Sequence, residues 1–209
     1  ELRQIADICK ESGTLVISDE IHADLTLPSY KHHPFASVSE AAASNCVTFM
    51  APSKTFNMPG IQSSFAIVPD DTLRERFQTF MEAGEFCEGH LFAYIGCKAA
   101  FEHGEEWLEQ VLAYIQGNID FTEAYLKEHI PSIGMIRPQA SYLVFLDCRA
   151  LGLSQEELEH LFADKARLAL NSGTMFGEPG RGFMRLNVGC PRQQLRKALQ
   201  QLEMAVNMQ

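Results

Sequence analysis

The chain has 209 residues, 46% of them hydrophobic, enough to bury a real core in one large domain or two small ones. Its 17 Lys and Arg against 27 Asp and Glu leave a formal net charge of -10. A general binder of nucleic acid or anionic membrane needs basic faces to neutralise phosphates, so both classes are excluded and a small molecule or a protein is the expected partner.

The opening stretch ELRQIADICKESG reads as a charged amphipathic helix rather than a signal peptide. Leu2, Ile5, Ala6 and Cys9 recur at helical spacing and Gly13 supplies the stop. Glu1 falls in mid-helix with no capping residue and no initiator methionine, the mark of a fragment or a processed piece. TLVIS then reads as a fully buried strand, CVTFM (46 to 50) as a second and SSFAIV (63 to 68) as a third, closed by Pro69 and Asp70. Short apolar runs interleaved with helices predict an α/β sheet covered on both faces, with ligands at the strand ends. From about Asp71 to Glu128 the pattern is helical, and after Pro131 short strands (GMIRP, SYLVFLDC, LALNSG, FMRLNVG) return with helices around 154 to 165 and 191 to 206. The expected organisation is 1–95 as part of a large, mostly parallel α/β domain, 96–130 as linking helices and 131–209 as a small α+β C-terminal domain. No apolar run approaches the roughly 20 residues that cross a bilayer, so no membrane partner is expected.

Three stretches carry candidate chemistry. In VISDEIHADL (16 to 25), Asp19 emerges at a strand end, followed by Glu20, His22 and Asp24; a carboxylate there pairs strongly with a positive group in a cleft of reduced dielectric. In MAPSKTFNMPG (50 to 60), Lys54 follows the second strand with no acidic residue nearby in the motif, so its amine reads either as a solvated loop lysine or as a nucleophile toward an aldehyde. In FMRLNVG, Arg185 sits among Phe183, Met184, Leu186 and Val188, which predict a largely buried strand; an arginine in that setting needs an anionic partner.

SDEIHADL, then APSKTFNMPG, then GRGFMRLNVGCPR (180 to 192), in that order, resemble the fold-type I pyridoxal-phosphate enzymes of the class I/II aminotransferase superfamily, best of all the MalY/PatB type of cystathionine β-lyase-like C–S lyases. The similarity runs over essentially the whole chain, including FEHGEEWL and SYLVFLDCR. The resemblance implies that Lys54 joins the pyridoxal 5'-phosphate aldehyde and later moves the substrate Cα proton. It implies that Asp19 pairs with the protonated pyridine nitrogen, that His22 lies near the ring where many aminotransferases carry tyrosine, and that Ser53 helps hold the phosphate. Arg185 would grip the α-carboxylate of an amino-acid substrate through a bidentate pair. Where many relatives carry an arginine two residues after the glycine, this chain has Gly60, Ile61 and Gln62, so that phosphate ligand is absent. The resemblance further implies a homodimer and β-elimination giving a thiol, ammonia and pyruvate, with a true aminotransferase as the alternative. The family's N-terminal half, which supplies a phosphate-binding turn, a stacking aromatic and an asparagine, has no counterpart before Glu1, so a non-catalytic fragment is a further reading.

The remaining features read plainly. Cys9, Cys46, Cys87, Cys97, Cys148 and Cys190 lie far apart with no ligand spacing, as expected for reduced, mostly buried thiols of a cytoplasmic protein without a metal site. His32 and His33 are expected in solvent or at a subunit contact, and Trp107 in a core or interface. GEFCEGH could border the site, and the glycine-rich TMFGEPGRGF (174 to 183) could approach the substrate without being a phosphate loop.

Overall fold

A computed structural model of the chain describes residues 1–86 and 89–208; Cys87 and part of GEFCEGH lie outside the described residues. The chain forms two compact units, Glu1–Gln110 and Val111–Gln209. No described helix is long and apolar enough to cross a membrane.

The first unit opens with helix α1 (Leu2–Glu11). Gly13 ends it with φ near +67°, and the Thr14 amide donates to the Cys9 carbonyl in the usual closing turn. Strand β1 (Val16–Asp19), the short helix α2 (Glu40–Ala43) and strand β2 (Cys46–Met50) follow. A four-residue helix α3 (Pro52–Thr55), strand β3 (Phe65–Ile67), and helices α4 (Asp71–Ala83) and α5 (Leu91–His103) complete the unit, with the first residues of helix α6 (Glu105–His129). The sheet order is β1-β2-β3, with β1 parallel and β3 antiparallel to the central β2. Asp70 does more than close a strand: its carboxylate accepts the Leu73 amide at 2.8 Å and caps α4.

The centre of this sheet is dry and its edges are not. In β2, Cys46, Val47 and Thr48 are all buried. Ala6, Phe35, Ala42 and Cys46 form one cluster on one face, with Val16 against it, while Phe49 meets Phe77 of α4 on the other. The expectation of three strands covered on both faces fails at the edges: Ile17 is 59% exposed, and Phe65 and Ile67 are open too. A strand paired on one side only has half the neighbours of a central one, and apolar letters alone do not reveal which it will be. The same holds for α1, where Ala6 is buried but Leu2, Ile5 and Ile8 are not.

The second unit is a four-stranded antiparallel sheet, order β4-β5-β7-β6, built from β4 (Gly134–Ile136), β5 (Leu143–Asp147), β6 (Asn171–Ser172) and β7 (Phe183–Asn187). Period-2 alternation decides its faces. Val144, Leu146, Met184 and Leu186 are buried against the helices, so the strand predicted as largely buried is buried on one side. Helix α7 (Gln155–His160) starts with a capping box on Ser154, and α8 (Arg192–Asn207) buries Leu195, Leu199, Leu202 and Ala205 at helical spacing. From α6 come Ile115, Ile119 and Leu126, and with them the wholly buried Asn118. Its Nδ2 donates to the carbonyls of Val188 at 2.6 Å and Cys190 at 2.9 Å, and its Oδ1 accepts from Arg192 Nε at 2.6 Å. One amide thus fixes the chain between β7 and α8.

Truncating that amide strands two carbonyls and a guanidinium donor. Asn118→Ala is expected to cost about 2–3 kcal/mol, read as a lowered urea midpoint of the second unit.

Candidate functional site

Parallel pairing places Val16 opposite Cys46, Ile17 opposite Val47, Ser18 opposite Thr48 and Asp19 opposite Phe49. Asp19 is therefore the last residue of β1, and β2 runs one residue further before the chain enters α3, where Lys54 lies. Both side chains emerge from the carboxyl ends of adjacent parallel strands, where α/β sheets bind ligands. Directly opposed residues of a pair share a face, so Asp19 lies with Phe49, on the side away from Ser18 and Thr48. Asp19 is exposed, and its Oδ1 accepts the Ile21 amide at 3.2 Å.

The turn that carries Lys54 is held at several points. Pro52 at the first helical position fixes φ in advance. At the other end Asn57 adopts φ near +52°, and the Met58 amide donates to the Ser53 carbonyl at 3.0 Å. This is the Schellman closure, for which asparagine is the usual substitute for glycine. Buried Thr55, 1% exposed, donates its hydroxyl to Asp24 Oδ2 at 3.0 Å. Lys54 and Ser53 are half-buried, and neither side chain has a hydrogen bond or ion pair among the described residues. His22 is half-buried and precedes the single turn Ala23–Leu25.

Glu20, passed over in the sequence as one acid among several, is 7% exposed and organises the loop beneath. Its amide donates to the Phe49 carbonyl at 2.9 Å. Its carboxylate accepts from Ser18 Oγ at 2.9 Å and from the Phe35 amide at 2.8 Å, and it meets His32 Nε2 at 2.7 Å. Burial pushes this carboxyl up, but the hydrogen bonds from His32, Phe35 and Ser18 outweigh it and leave Glu20 below its ordinary value. His32 is thus a loop anchor rather than a solvated histidine, whereas His33 is exposed as expected. A cavity of about 370 Å³ bounded by Glu20, Asp24, His32, Thr48, Met50 and Ile67 lies beside this network and does not include Asp19 or Lys54.

Arg185 belongs to the second unit. It sits on the open face of β7, opposite Phe145 on one side and Asn171 on the other. One terminal nitrogen donates to Asn171 Oδ1 at 2.9 Å, the guanidinium lies 4.6 Å from the centre of the Phe176 ring, and Nε is buried without a hydrogen-bond partner. No carboxylate of the described residues pairs with it. Nearby, Gly173 and Gly180 touch backbone to backbone: a Cβ on either would lie 2.1 or 2.0 Å from the other's carbonyl oxygen. That contact, rather than approach to a ligand, accounts for these two glycines.

Of the thiols, Cys46 and Cys148 are buried, and burial pushes Cys148 up to about 12. Cys9, Cys97 and Cys190 are partly buried. Among the described residues no three His, Cys, Asp or Glu side chains are grouped to hold a metal ion.

Residues 1–202 match the family model described as aminotransferase class I and II. The chain is 40% identical over 207 residues to cystathionine beta-lyase PatB of Bacillus subtilis, covering 99% of this chain and 54% of that protein. It is 30% identical to protein MalY of Escherichia coli, covering 95% of this chain and 50% of MalY. Among solved structures, cystalysin of Treponema denticola, which contains a pyridoxal 5'-phosphate cofactor, superposes with a TM-score of 0.95 at 32% identity, covering 100% of this chain and 53% of cystalysin. The chain therefore spans about half the length of the curated relatives it matches.

The lowered Glu20 carboxyl gives a signed pH dependence. A carboxyl held below its unfolded value of about 4.3 stabilises fully above that pH and loses the contribution as pH falls through its folded value. Wild-type protein is expected to lose stability through that acidic window more steeply than Glu20→Gln, as measured by denaturant midpoints at stepped pH.

Proposed function

We propose that this chain, which belongs to the aminotransferase class I and II family, carries the lysine-bearing part of a pyridoxal 5'-phosphate-dependent C–S lyase that acts on a small cystathionine-like or cysteine-conjugate amino acid. The observation that carries the reading is the arrangement at the sheet end: an amine, one oxygen of a carboxylate and a hydroxyl that have no partner among the described residues, on segments leaving adjacent parallel strands. This donor set fits the cofactor's own groups, which are an aldehyde for the amine, a basic ring nitrogen for the carboxylate and a phosphate for the hydroxyl. When bound, the cofactor supplies an electron sink for the bond broken at the substrate Cα.

This chain's residues do the rest. Lys54 would hold the cofactor through its ε-amine, and the same amine, when free, would take the proton from the substrate Cα. Asp19 would hold a proton on the ring nitrogen, and Ser53 would donate its hydroxyl to the phosphate. His22 stands on the segment leaving Asp19, and its position there supports a role beside the ring. Arg185 would bind the substrate α-carboxylate; that its Nε is unpaired and that it has no anionic neighbour among the described residues support that role. With the Cα proton gone, the Cβ–S bond breaks, the thiolate leaves with the bonding pair, and water converts the remainder to pyruvate and ammonia.

The name of PatB, a cystathionine beta-lyase, favours elimination over transamination. A cytoplasmic homodimer is part of the same reading. The five described cysteines, all unbridged, support the compartment, and the exposed Leu91, Phe92, Tyr94 and Ile95 of α5 support burial against a further chain.

Protein mixed with pyridoxal 5'-phosphate is expected to gain a visible absorbance band that Lys54→Ala lacks; no band in the wild type would favour a non-catalytic piece. Release of thiol and pyruvate without a keto-acid acceptor supports the lyase, and strict dependence on an acceptor would sink it in favour of an aminotransferase. Arg185→Lys is expected to raise KM for the amino acid about tenfold or more, because a point charge replaces a planar fork.

A further inference from the structure

We infer that Thr55 and Asp24 are a positioning pair that sets where the Lys54 amine points; this rests on the reading of Lys54 as the residue that captures pyridoxal 5'-phosphate. Both lie within the motifs quoted above, but neither is given a role there, and nothing in the donor set above requires them. The argument begins with the weakness of the turn itself. Helix α3 has four residues, too few to be stable alone, since helix formation repays its nucleation cost only over several turns. Its proline start and Schellman end fix its internal shape but do not join it to the segment that follows Asp19.

The Thr55–Asp24 hydrogen bond makes that join. It spans 31 positions in sequence. On one side, Asp24 sits in the turn Ala23–Leu25, which is tied to the residue following β1 by the Ala23 amide donating to the Glu20 carbonyl at 2.9 Å and closed on itself by the Leu25 amide donating to the His22 carbonyl at 3.0 Å. On the other side, Thr55 is the residue next to Lys54 and is almost wholly buried, so its β-branched side chain has little rotamer freedom. A charge-assisted hydrogen bond of this kind is stronger than a neutral one, and breaking it leaves a half-buried carboxylate without its donor. The segment bearing Asp19 and the turn bearing Lys54 are thereby held to each other at two points. One is the Glu20 amide on the Phe49 carbonyl within the sheet, and the other is this side-chain pair beyond it. Displacement of a reacting group by about 1 Å can cost two orders of magnitude in rate, and a lysine amine on a flexible stem inherits any rotation of its own backbone turn.

The test compares Thr55→Val, which keeps the shape and removes the donor, with Thr55→Ser, which keeps the donor. Rate and half-saturation of the Lys54-dependent absorbance are measured on adding pyridoxal 5'-phosphate, with thermal unfolding alongside. Thr55→Val is expected to slow capture and raise the half-saturating concentration about tenfold, and Thr55→Ser to stay within about twofold of wild type. Capture by Thr55→Val at the wild-type rate and affinity overturns the pair, even if its melting temperature falls, because the hydroxyl would then serve stability alone. Equal impairment in Val and Ser variants also overturns it, since shape and not the hydrogen bond would matter. If Thr55→Val does not fold, Asp24→Ala decides by the same reading: unchanged capture overturns the pair and a tenfold loss supports it. A wild-type protein with no Lys54-dependent band would bring down the underlying reading of Lys54 instead, and is told apart by the Lys54→Ala control.

Discussion

The parallel pairing of β1 with β2 is the constraint on which the first unit rests. A parallel ladder forces both chains to leave the sheet at the same end, so whatever residues follow the two strands become neighbours whether or not they attract one another. Here those residues are Asp19 on one strand and the α3 turn on the other. Parallel strands are characteristically covered on both faces, and Cys46, Val47 and Thr48 of β2 are. Packing at the base of the sheet therefore secures polar groups at its tip. The Glu20 carboxylate extends that security sideways by drawing the 32–35 loop onto the strand through His32 and the Phe35 amide.

The outline of this molecule was legible in its residues to an uneven degree. Strand β2 and the long helices follow from periodicity, since a run such as CVTFM between turn signals has few other fates. Lys54 and Asp19 were legible as strand-end residues for the same reason. Exposure of Ile17 and Phe65 was not, because a strand's composition does not say how many neighbours it will find. Arg185 was read as sitting in a buried strand, whereas alternation turns its side chain to the open face, where Phe176 and Asn171 receive it.

Long-range polar contacts were the least legible. Glu20 and His32 lie 12 positions apart, Asp24 and Thr55 lie 31 apart, and Asn118 reaches the carbonyl of a residue 72 positions away. None of these has a local signature. An asparagine in the middle of a helix is expected to face water, and only the return of the chain from β7 into α8 makes it a buried bracket. The two glycines of the 173–180 loop are similar, for their smallness answers a contact between two stretches of backbone rather than a turn within one.

The setting of Arg185 has a thermodynamic corollary. A free arginine side chain surrenders about 2 kcal/mol of rotamer entropy when it is immobilised, and an anion that has to immobilise it binds more weakly by some part of that amount. The Asn171 amide and the Phe176 ring already restrict this guanidinium. The cost of ordering it is therefore met when the second unit folds, and a carboxylate bound as proposed above would find a donor whose direction is already chosen.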